Sequence, residues 1–409
     1  MSARESRSRR EFLATAATGA AAAGLAGLGG RSAAASESAS APHRTEGVIT
    51  RQLGRTGITL PVVSMGVMNT DDANLLRRSY EMGVRHFDTA AVYMGGRNEE
   101  VVGATIRDMG IRDEVTLATK ILHTRYRRGL SGNALRDAII EHTDQSLQRL
   151  GMDHVELLYL HVVQDEETAT DPAVLEGMER IKEQGKARFT GFSTHRNMAT
   201  CIRAATANGG VDVILSSFNY AYSEKSDLIA AMQAAAGAGI GIVAMKTQCV
   251  GAMTRGNVPA EGQAAYPDEV MHNAVLRWAI RPEFISTSIP GYTTFQQLEQ
   301  NWNVVSSLEF SEQEQAFLDD HRTRTELGFC LQCEECAPTC ARNADIPTLM
   351  RAHMYATAYT NFEQAREALV DIEYGRGMEN CTSCAECTAR CANTVDIASR
   401  IAELQTIYA

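Results

Sequence analysis

Eight of the ten cysteines lie within the last 80 residues, in two sets that share the spacing C-x2-C-x2-C-x3-C. The first set is Cys330, Cys333, Cys336 and Cys340, and the second is Cys381, Cys384, Cys387 and Cys391. Thiolates at this spacing on one tight loop can ligate adjacent corners of an iron–sulfur cubane. The pattern therefore predicts two 4Fe–4S clusters and one-electron redox chemistry.

Zinc and disulfide bonds are the alternatives for these cysteines. Paired C-x2-C motifs often bind zinc, and disulfides form in oxidising compartments. The repeat of the whole four-cysteine spacing favours clusters over zinc, and cysteines this close in sequence rarely meet disulfide geometry. The other two cysteines, Cys201 and Cys249, are isolated in the sequence, and we expect them to be small core residues.

The region that carries the two sets resembles the α-helical ferredoxin domains of succinate dehydrogenase and related electron-transfer subunits. Between the sets, Thr348–Tyr359 and Phe362–Ile372 have helical spacing, and no strand pattern occurs. The resemblance implies a small helical domain over residues 311–409 and a redox partner protein. By analogy with two-cluster ferredoxins, Cys391 would complete the first cluster and Cys340 the second.

Four ionisable side chains stand at or just after predicted strand ends in the N-terminal two thirds of the chain. They are Asp88, Tyr93, Lys120 and His161. Each has a structural explanation when taken singly, such as a helix cap for Asp88 or a core histidine for His161. As a set they match carbonyl reduction, which needs a proton for the developing oxyanion. A lysine beside Tyr93 would lower the tyrosine pKa, Asp88 would hold that lysine, and His161 would orient the carbonyl.

The elements that must position these groups are eight apolar runs, which alternate with amphipathic helical segments. Parallel strands that are buried on both faces have such apolar sequences. Eight strand–helix units in about 250 residues fit a (β/α)8 TIM barrel, here over residues 48–310. A doubly wound sheet is the alternative, but the G-x-G-x-x-G turn is missing. Arg51–Leu60 predicts a hairpin before the first strand. The runs are Val62–Val67, Arg85–Thr89, Val115–Lys120, Val155–His161, Ala187–Ser193, Val211–Asn219, Gly239–Met245 and Phe284–Pro290.

The segment from Arg51 to Ser307 resembles the aldo-keto reductases. The resemblance rests on LGRTGITLPVVSMG, GVRHFDTAAVYMGGRNEEVVG, LATK, LLYLH, GFST and SIPG, in this order. It implies an oxidoreductase that interconverts a small carbonyl and an alcohol with NADP or NAD. In that family an Asp, a Tyr, a Lys and a His form the catalytic tetrad, and Asp88, Tyr93, Lys120 and His161 match it.

The resemblance also implies a nicotinamide site, but several positions depart from the family. No Arg or Lys follows Gly291 where the family binds the 2′-phosphate, Leu215 replaces a usual Gln, and Met245 replaces an aromatic. The choice between NADP and NAD therefore stays open. An iron–sulfur electron-transfer protein whose barrel no longer uses free nicotinamide is the alternative function. The implied cofactor residues are Ser193, Asn219, Lys246, Pro290, Gly291, Thr293, Gln297 and Asn301.

Residues 1–42 resemble a twin-arginine signal peptide with a linker. Arg9 and Arg10 precede a weakly apolar Ala/Gly-rich stretch, and small-residue cleavage sites follow. A basic tail before an Ala-rich linker is the alternative. The resemblance implies export of the folded protein, by the twin-arginine machinery, to the periplasm or another extracytoplasmic space. We expect no permanent membrane span, and the net charge of -11 argues against nucleic acid as a partner.

Overall fold

The computed structural model describes residues 47–248, 266–320, 329–382, 384 and 386–408. The predicted signal segment 1–42 and Cys249 lie outside the described residues. Residues His43–Ala409 form one compact unit, so contacts between the barrel and the C-terminal region belong to a single body. Among the described residues, no helix is long and apolar enough to cross a membrane.

Eight parallel strands form the barrel, in the order in which they occur along the chain. Parallel bridges from Val63 to Ser288 and from Gly66 to Gly291 join the last strand to the first. This closure confirms the predicted barrel over the doubly wound sheet. The strands are β3 (Met65–Gly66), β4 (His86–Asp88), β5 (Thr116–Ile121), β6 (Val155–Leu160), β7 (Ala187–Thr194), β8 (Val213–Ser217), β9 (Gly241–Met245) and β10 (Thr287–Ser288).

The predicted hairpin precedes the barrel and covers the end where the strands begin. It pairs β1 (Thr50–Gln52) with β2 (Thr59–Pro61). Its Gly54 has φ +52° and packs against the start of β9, where an added Cβ would lie 2.3 Å from the Gly241 nitrogen. Only glycine fits so close an approach. The hairpin contributes two leucines to the apolar interior of the barrel, which consists of Leu53, Leu60, Ala118, Leu157, Tyr159, Val213, Leu215, Val243 and Ile289.

Helices follow most strands and cover the outside of the barrel. Their starts carry ordinary capping residues, such as Asp72 at the first and Asp171 before the proline of the sixth. The barrel helices are α1 (Ala73–Met82), α2 (Arg97–Met109), α3 (Thr124–Arg127), α4 (Gly132–Leu150), α5 (Glu166–Thr170), α6 (Pro172–Glu183), α7 (Met198–Asn208), α8 (Ser226–Gly237), α9 (Asp268–Ile280), α10 (Phe295–Asn303) and α11 (Glu312–Asp319).

Helix α11 packs on the barrel, whereas the domain boundary predicted from the sequence placed it in the C-terminal domain, residues 311–409. Arg277 of α9 forms an ion pair with Glu314, and the Tyr220 hydroxyl donates to the Leu318 carbonyl. Phe317 and Leu318 are buried in the same apolar cluster as Tyr220. The contacts of this helix are thus with barrel elements, and the described part of the cysteine-bearing region begins at Phe329.

The C-terminal region consists of three helices and two cysteine-bearing loops, and its described residues, 329–408 apart from 383 and 385, contain no strand. It lies against the face of the barrel where the strands end. Arg196, which follows β7, pairs with Glu334 of the first cysteine loop, and Asn361 Nδ2 donates to Asn69 Oδ1 at 3.0 Å. The helices are α12 (Ile346–Thr357), α13 (Phe362–Val370) and α14 (Ile397–Tyr408).

Candidate active site

The structure brings three of the four predicted catalytic groups into direct contact. Asp88 is the last residue of β4, and Lys120 lies near the end of the neighbouring β5. The Lys120 ammonium donates to Asp88 Oδ1, to the Thr89 carbonyl at 2.7 Å and to Tyr93 Oη at 3.1 Å. Side chains of Asp88 and Lys120 are 1 % exposed. Lys120 therefore links the carboxylate to the phenol inside the protein.

A tight turn holds Tyr93 over this ion pair. The Tyr93 amide donates to the Ala90 carbonyl at 3.0 Å, and the next two residues, Met94 and Gly95, have left-handed backbone angles. Burial raises the pKa of Tyr93 well above its ordinary value, and Asp88 adds to this. The expectation of a lowered Tyr93 pKa is wrong, because loss of solvent outweighs the one opposing charge, that of Lys246. The phenol is protonated at neutral pH.

His161 follows β6 and faces the same site. Its ring lies edge-on to the Tyr93 ring, with 6.1 Å between centroids. Burial, followed by His123 and Lys120, lowers the pKa of His161 well below its ordinary value. The imidazole is therefore neutral and has one N–H to donate. Its Nδ1 atom has no hydrogen-bond partner within the described part of the chain.

A second layer of polar side chains surrounds the tetrad, and of its members only Lys246 was predicted from the sequence as a site residue. His123 Nδ1 lies 2.8 Å from Asp371 Oδ1, and Arg351 Nη1 donates to His195 Nε2 at 2.7 Å. Tyr355 Oη lies 3.0 Å from Lys246 Nζ. Each pair joins a barrel strand end to the C-terminal region. The one usable signal was Arg351, the only Asp, Glu, Lys or Arg in α12.

A cleft with a cavity volume of about 230 Å³ opens beside Asp88 and Tyr93. Ala358, Tyr359 and Thr360 of the C-terminal region form part of its wall, so the two regions share the site. Six of the eight residues predicted to contact cofactor line this cleft. They are Lys246, Pro290, Gly291, Thr293, Gln297 and Asn301.

The other two predicted cofactor residues do not line the cleft. Asn219 is buried and shapes the backbone, because its Nδ2 donates to the Lys246 carbonyl at 3.1 Å and its Oδ1 accepts from the Ala221 amide. Ser193 is buried, and its hydroxyl has no partner among the described residues. Of the positions that depart from the family, Leu215 packs in the barrel interior and Met245 lines the cleft.

The cleft wall fits a ligand that carries hydrogen-bond acceptors. Two buried donors there, Thr247 Oγ1 and Asn301 Nδ2, have no partner among the described residues. At the start of α10 no charged side chain lines the cleft, and Gln297 Oε1 accepts from the Thr293 amide at 2.9 Å. A dinucleotide phosphate would meet hydroxyls and amides here instead of arginine or lysine.

The structure groups the thiols across the two sequence sets. Burial raises the pKa of Cys336 to about 12, and Cys330, Cys333 and Cys391 raise it further. Burial likewise raises the pKa of Cys381 to about 11, with Cys340 the first of its neighbouring thiols. Each group therefore contains three cysteines of one set and the fourth of the other. This is the exchange that the ferredoxin analogy implies.

Nitrogen donors surround the first thiol group. Gln332 Nε2 lies 3.3 Å from Cys330 Sγ, and the Asn393 amide lies 3.3 Å from Cys391 Sγ. Donors of this kind stabilise cluster sulfurs and tune their potential. Among the described residues, no three His, Cys, Asp or Glu side chains are close enough to hold a single metal ion. Four thiols grouped as they are around Cys336 and around Cys381 are the ligand set that one 4Fe–4S cluster requires.

Comparison with known proteins agrees with this geometry. The sequence pattern of the aldo/keto reductase family matches residues 64–269, half of the chain. The chain belongs to the aldo/keto reductase family. A second pattern, the 4Fe-4S dicluster domain, matches residues 329–396. This aldo/keto reductase is therefore an oxidoreductase barrel with a C-terminal 4Fe–4S domain.

Two curated relatives of this aldo/keto reductase match most of its barrel. L-galactose dehydrogenase of Arabidopsis thaliana is 27 % identical over 290 residues, which cover 63 % of this chain and 88 % of the relative. L-glyceraldehyde 3-phosphate reductase of Escherichia coli strain K12 is 23 % identical over 341 residues, or 70 % of this chain and 96 % of the relative.

Solved structures show the same barrel. An aldo-keto reductase from Bacillus halodurans in its holo form superposes with a TM-score of 0.53 and 22 % identity, over 68 % of this chain and 99 % of that chain. An aldo-keto reductase from Klebsiella pneumoniae, solved in complex with NADPH, superposes with a TM-score of 0.52 and 22 % identity. The match covers 66 % of this chain and 94 % of that chain. At this identity the likeness supports the fold alone.

Proposed function

We propose that this protein interconverts a small carbonyl and an alcohol at Tyr93 and couples the reaction to electron transfer through two 4Fe–4S clusters. The observation that carries the proposal is that the first thiol group and the carbonyl site lie next to each other. Cys330 of the first thiol group and Lys246 of the barrel mouth line one small cavity, and Lys246 also lines the cleft beside Tyr93.

Tyr93 has the properties of a proton donor in the direction of reduction. Its hydroxyl accepts from Lys120, so its own proton remains for the substrate oxygen. In reduction the Tyr93 O–H bond breaks as the new O–H bond of the alcohol forms, and Lys120 stabilises the phenolate that remains. In oxidation the proton returns. His161, neutral and with one N–H, orients the carbonyl oxygen.

The electron count of the reaction fits two clusters. Alcohol oxidation releases two electrons and two protons, and carbonyl reduction consumes the same. When bound, nicotinamide supplies or accepts a hydride, and each cluster takes up or releases one electron. The residues that would hold the clusters are Cys330, Cys333, Cys336 and Cys391 for one, and Cys340, Cys381, Cys384 and Cys387 for the other. A redox partner protein would exchange electrons with this domain.

The cofactor site is proposed on the same cleft. Thr247 and Asn301 offer unpartnered donors, and Lys246, Thr293 and Gln297 lie along the wall. Without a basic side chain at the start of α10, discrimination between NADP and NAD should be weak. We also propose export through the twin-arginine route, on the strength of the paired Arg9 and Arg10, which would carry the folded cluster-loaded protein out of the cytoplasm.

A second function is an exported iron–sulfur electron-transfer protein whose barrel does not use free nicotinamide. The position of Leu215, buried in the barrel interior where the family places an amide, favours it. Anaerobic mixing of the purified protein with NADPH or NADH separates the two functions. Bleaching of the visible cluster absorbance supports nicotinamide-linked electron transfer, and absence of both nucleotide binding and bleaching supports the second function.

A further inference from the structure

A chain of buried polar side chains runs from the C-terminal domain to His161. Arg351 Nη2 on α12 lies 3.6 Å from Asp371 Oδ2, just after α13. Asp371 Oδ1 lies 2.8 Å from His123 Nδ1. The His123 ring packs edge-on against the His161 ring, with 4.9 Å between centroids. Side chains of Arg351, Asp371 and His123 are 4 %, 8 % and 9 % exposed, so the chain is closed to solvent.

The charges in this chain fix the proton positions. Burial lowers the pKa of His123, so the ring is neutral, and a carboxylate can only accept a hydrogen bond. With Asp371 Oδ1 only 2.8 Å away, the tautomer that carries its proton on Nδ1 is the favoured one, although the two groups are not aligned as a full hydrogen bond. Arg351 balances the Asp371 charge and donates to His195 Nε2. The result is one buried Arg–Asp ion pair between two neutral imidazoles.

The ring of His161 depends on this chain for its orientation. Its backbone is fixed within the barrel, because its amide donates to the Ile121 carbonyl at 2.9 Å and its carbonyl accepts from Arg127 Nη1 at 2.9 Å. Its ring has no such anchor at Nδ1 among the described residues. Packing between Tyr93 and His123 sets the ring plane. Whatever holds His123 therefore also holds His161.

We propose that Asp371 and Arg351 of the C-terminal domain are positioning residues that hold His161, through His123, toward the carbonyl oxygen. The inference rests on the proposed function, which gives His161 that role. It makes the C-terminal domain a structural part of the carbonyl site in addition to an electron carrier. The barrel of this protein therefore reaches full activity only when the C-terminal domain is docked on it.

The variant Asp371→Ala tests this in the full-length, cluster-loaded protein. It removes the carboxylate that lies 2.8 Å from His123 Nδ1 and frees the ring that packs on His161. Histidine 15N–1H correlation spectra, recorded with the clusters oxidised and assigned by His123→Gln and His161→Gln, report ring environment without any turnover. We expect the His161 signals to shift in Asp371→Ala and to stay near the wild-type positions in Asp371→Asn, which keeps an acceptor oxygen.

Turnover of 4-nitrobenzaldehyde with NADPH is the second measurement. A misaligned His161 lowers kcat about tenfold or more and leaves KM within about twofold, because the loss is in the transition state. Asp371→Ala leaves Arg351 buried without a carboxylate and can cost folding. The double variant Asp371→Ala/Arg351→Met removes both charges and keeps the test possible. Asp227→Ala, in an exposed pair with Arg203, is the matched control and should behave as wild type.

Unchanged His161 signals in a folded Asp371→Ala or double variant would overturn the proposal, whatever the activity. A shift in Asp371→Asn as large as in Asp371→Ala would overturn it as well, because the acceptor would then not be the cause. If wild-type protein does not reduce the aldehyde, reduction of this probe is contradicted. The spectra still support or overturn the positioning role in that case.

Discussion

Lys120 Nζ lies 3.1 Å from Tyr93 Oη and donates to it from inside the protein. Asp88 and the Thr89 carbonyl accept the other two protons of the ammonium. All three donors are thus used, and the lysine is fixed without help from solvent. The phenol oxygen accepts from this lysine, so its own O–H stays available to donate, which is the role proposed for it in carbonyl reduction.

Removal of the Tyr93 hydroxyl should slow carbonyl reduction strongly. Tyr93→Phe keeps the ring that packs with Val92 and Met68, and we expect kcat to fall about 10²- to 10⁴-fold, the usual contribution of a general acid. Far-ultraviolet circular dichroism should be unchanged. Tyr126→Phe, at a tyrosine that is 47 % exposed, is the control. Wild-type turnover in Tyr93→Phe would exclude Tyr93 as the donor.

The grouping of thiols across the two sets predicts which cysteine variants damage the same cluster. Electron paramagnetic resonance of the reduced protein should show Cys391→Ser altering the signal that Cys333→Ser alters. Cys340→Ser should alter the signal that Cys384→Ser alters. The reason is that Cys330, Cys333 and Cys391 are the thiols close enough to Cys336 to raise its pKa, in addition to burial. These four cysteines therefore belong to one group. If Cys340→Ser and Cys333→Ser affect one signal, the exchange of fourth ligands is wrong.

Acid should destabilise this protein as the pH falls below the ordinary histidine pKa. Burial lowers the pKa of His123, His161 and His195 in the folded state, so the unfolded chain binds more protons below about pH 6.5. The contribution of these histidines to the free energy of unfolding is fully present above that pH. It is lost as the pH falls toward their lowered pKa values in the folded state. Each histidine contributes up to about 1.4 kcal/mol per pH unit.

Urea unfolding followed by the fluorescence of the two tryptophans measures this dependence. His195→Asn removes one of the three groups, so the free energy of unfolding should fall less steeply with acid than in the wild type. Equal slopes for the variant and the wild type would show that His195 does not contribute.

Arg196 should contribute to the attachment of the C-terminal domain. It pairs with Glu334 and lies 3.4 Å from Asp345, with its own side chain 13 % exposed. Arg196→Met leaves both carboxylates without this partner, and we expect a loss of about 1–3 kcal/mol in the free energy of unfolding. Arg203→Met, in an exposed pair with Asp227, should change it by less than about 0.5 kcal/mol. Equal effects of the two variants would contradict the role of Arg196.

Most of the barrel was predictable because its strands are buried on both faces. A strand such as Val155–Leu160 has every residue buried, so it appears in the sequence as an apolar run, broken only by Glu156, which pairs with Arg112. The helices are covered on one side only and keep a helical period. The tetrad candidates also followed from sequence, because strand ends in a parallel barrel meet at one face. The thiol sets are local in sequence and needed no fold to be recognised.

The sequence by itself thus determined the barrel, the tetrad candidates, and the two cysteine sets. It misjudged the pKa of Tyr93, because loss of solvent depends on what covers the residue. Only the tertiary structure decided that the C-terminal domain lies over the barrel mouth and that Arg351, Asp371 and His123 form one chain. These residues are separated by up to 248 positions in the sequence, and their attraction acts through space. No local pattern encodes contacts of that range.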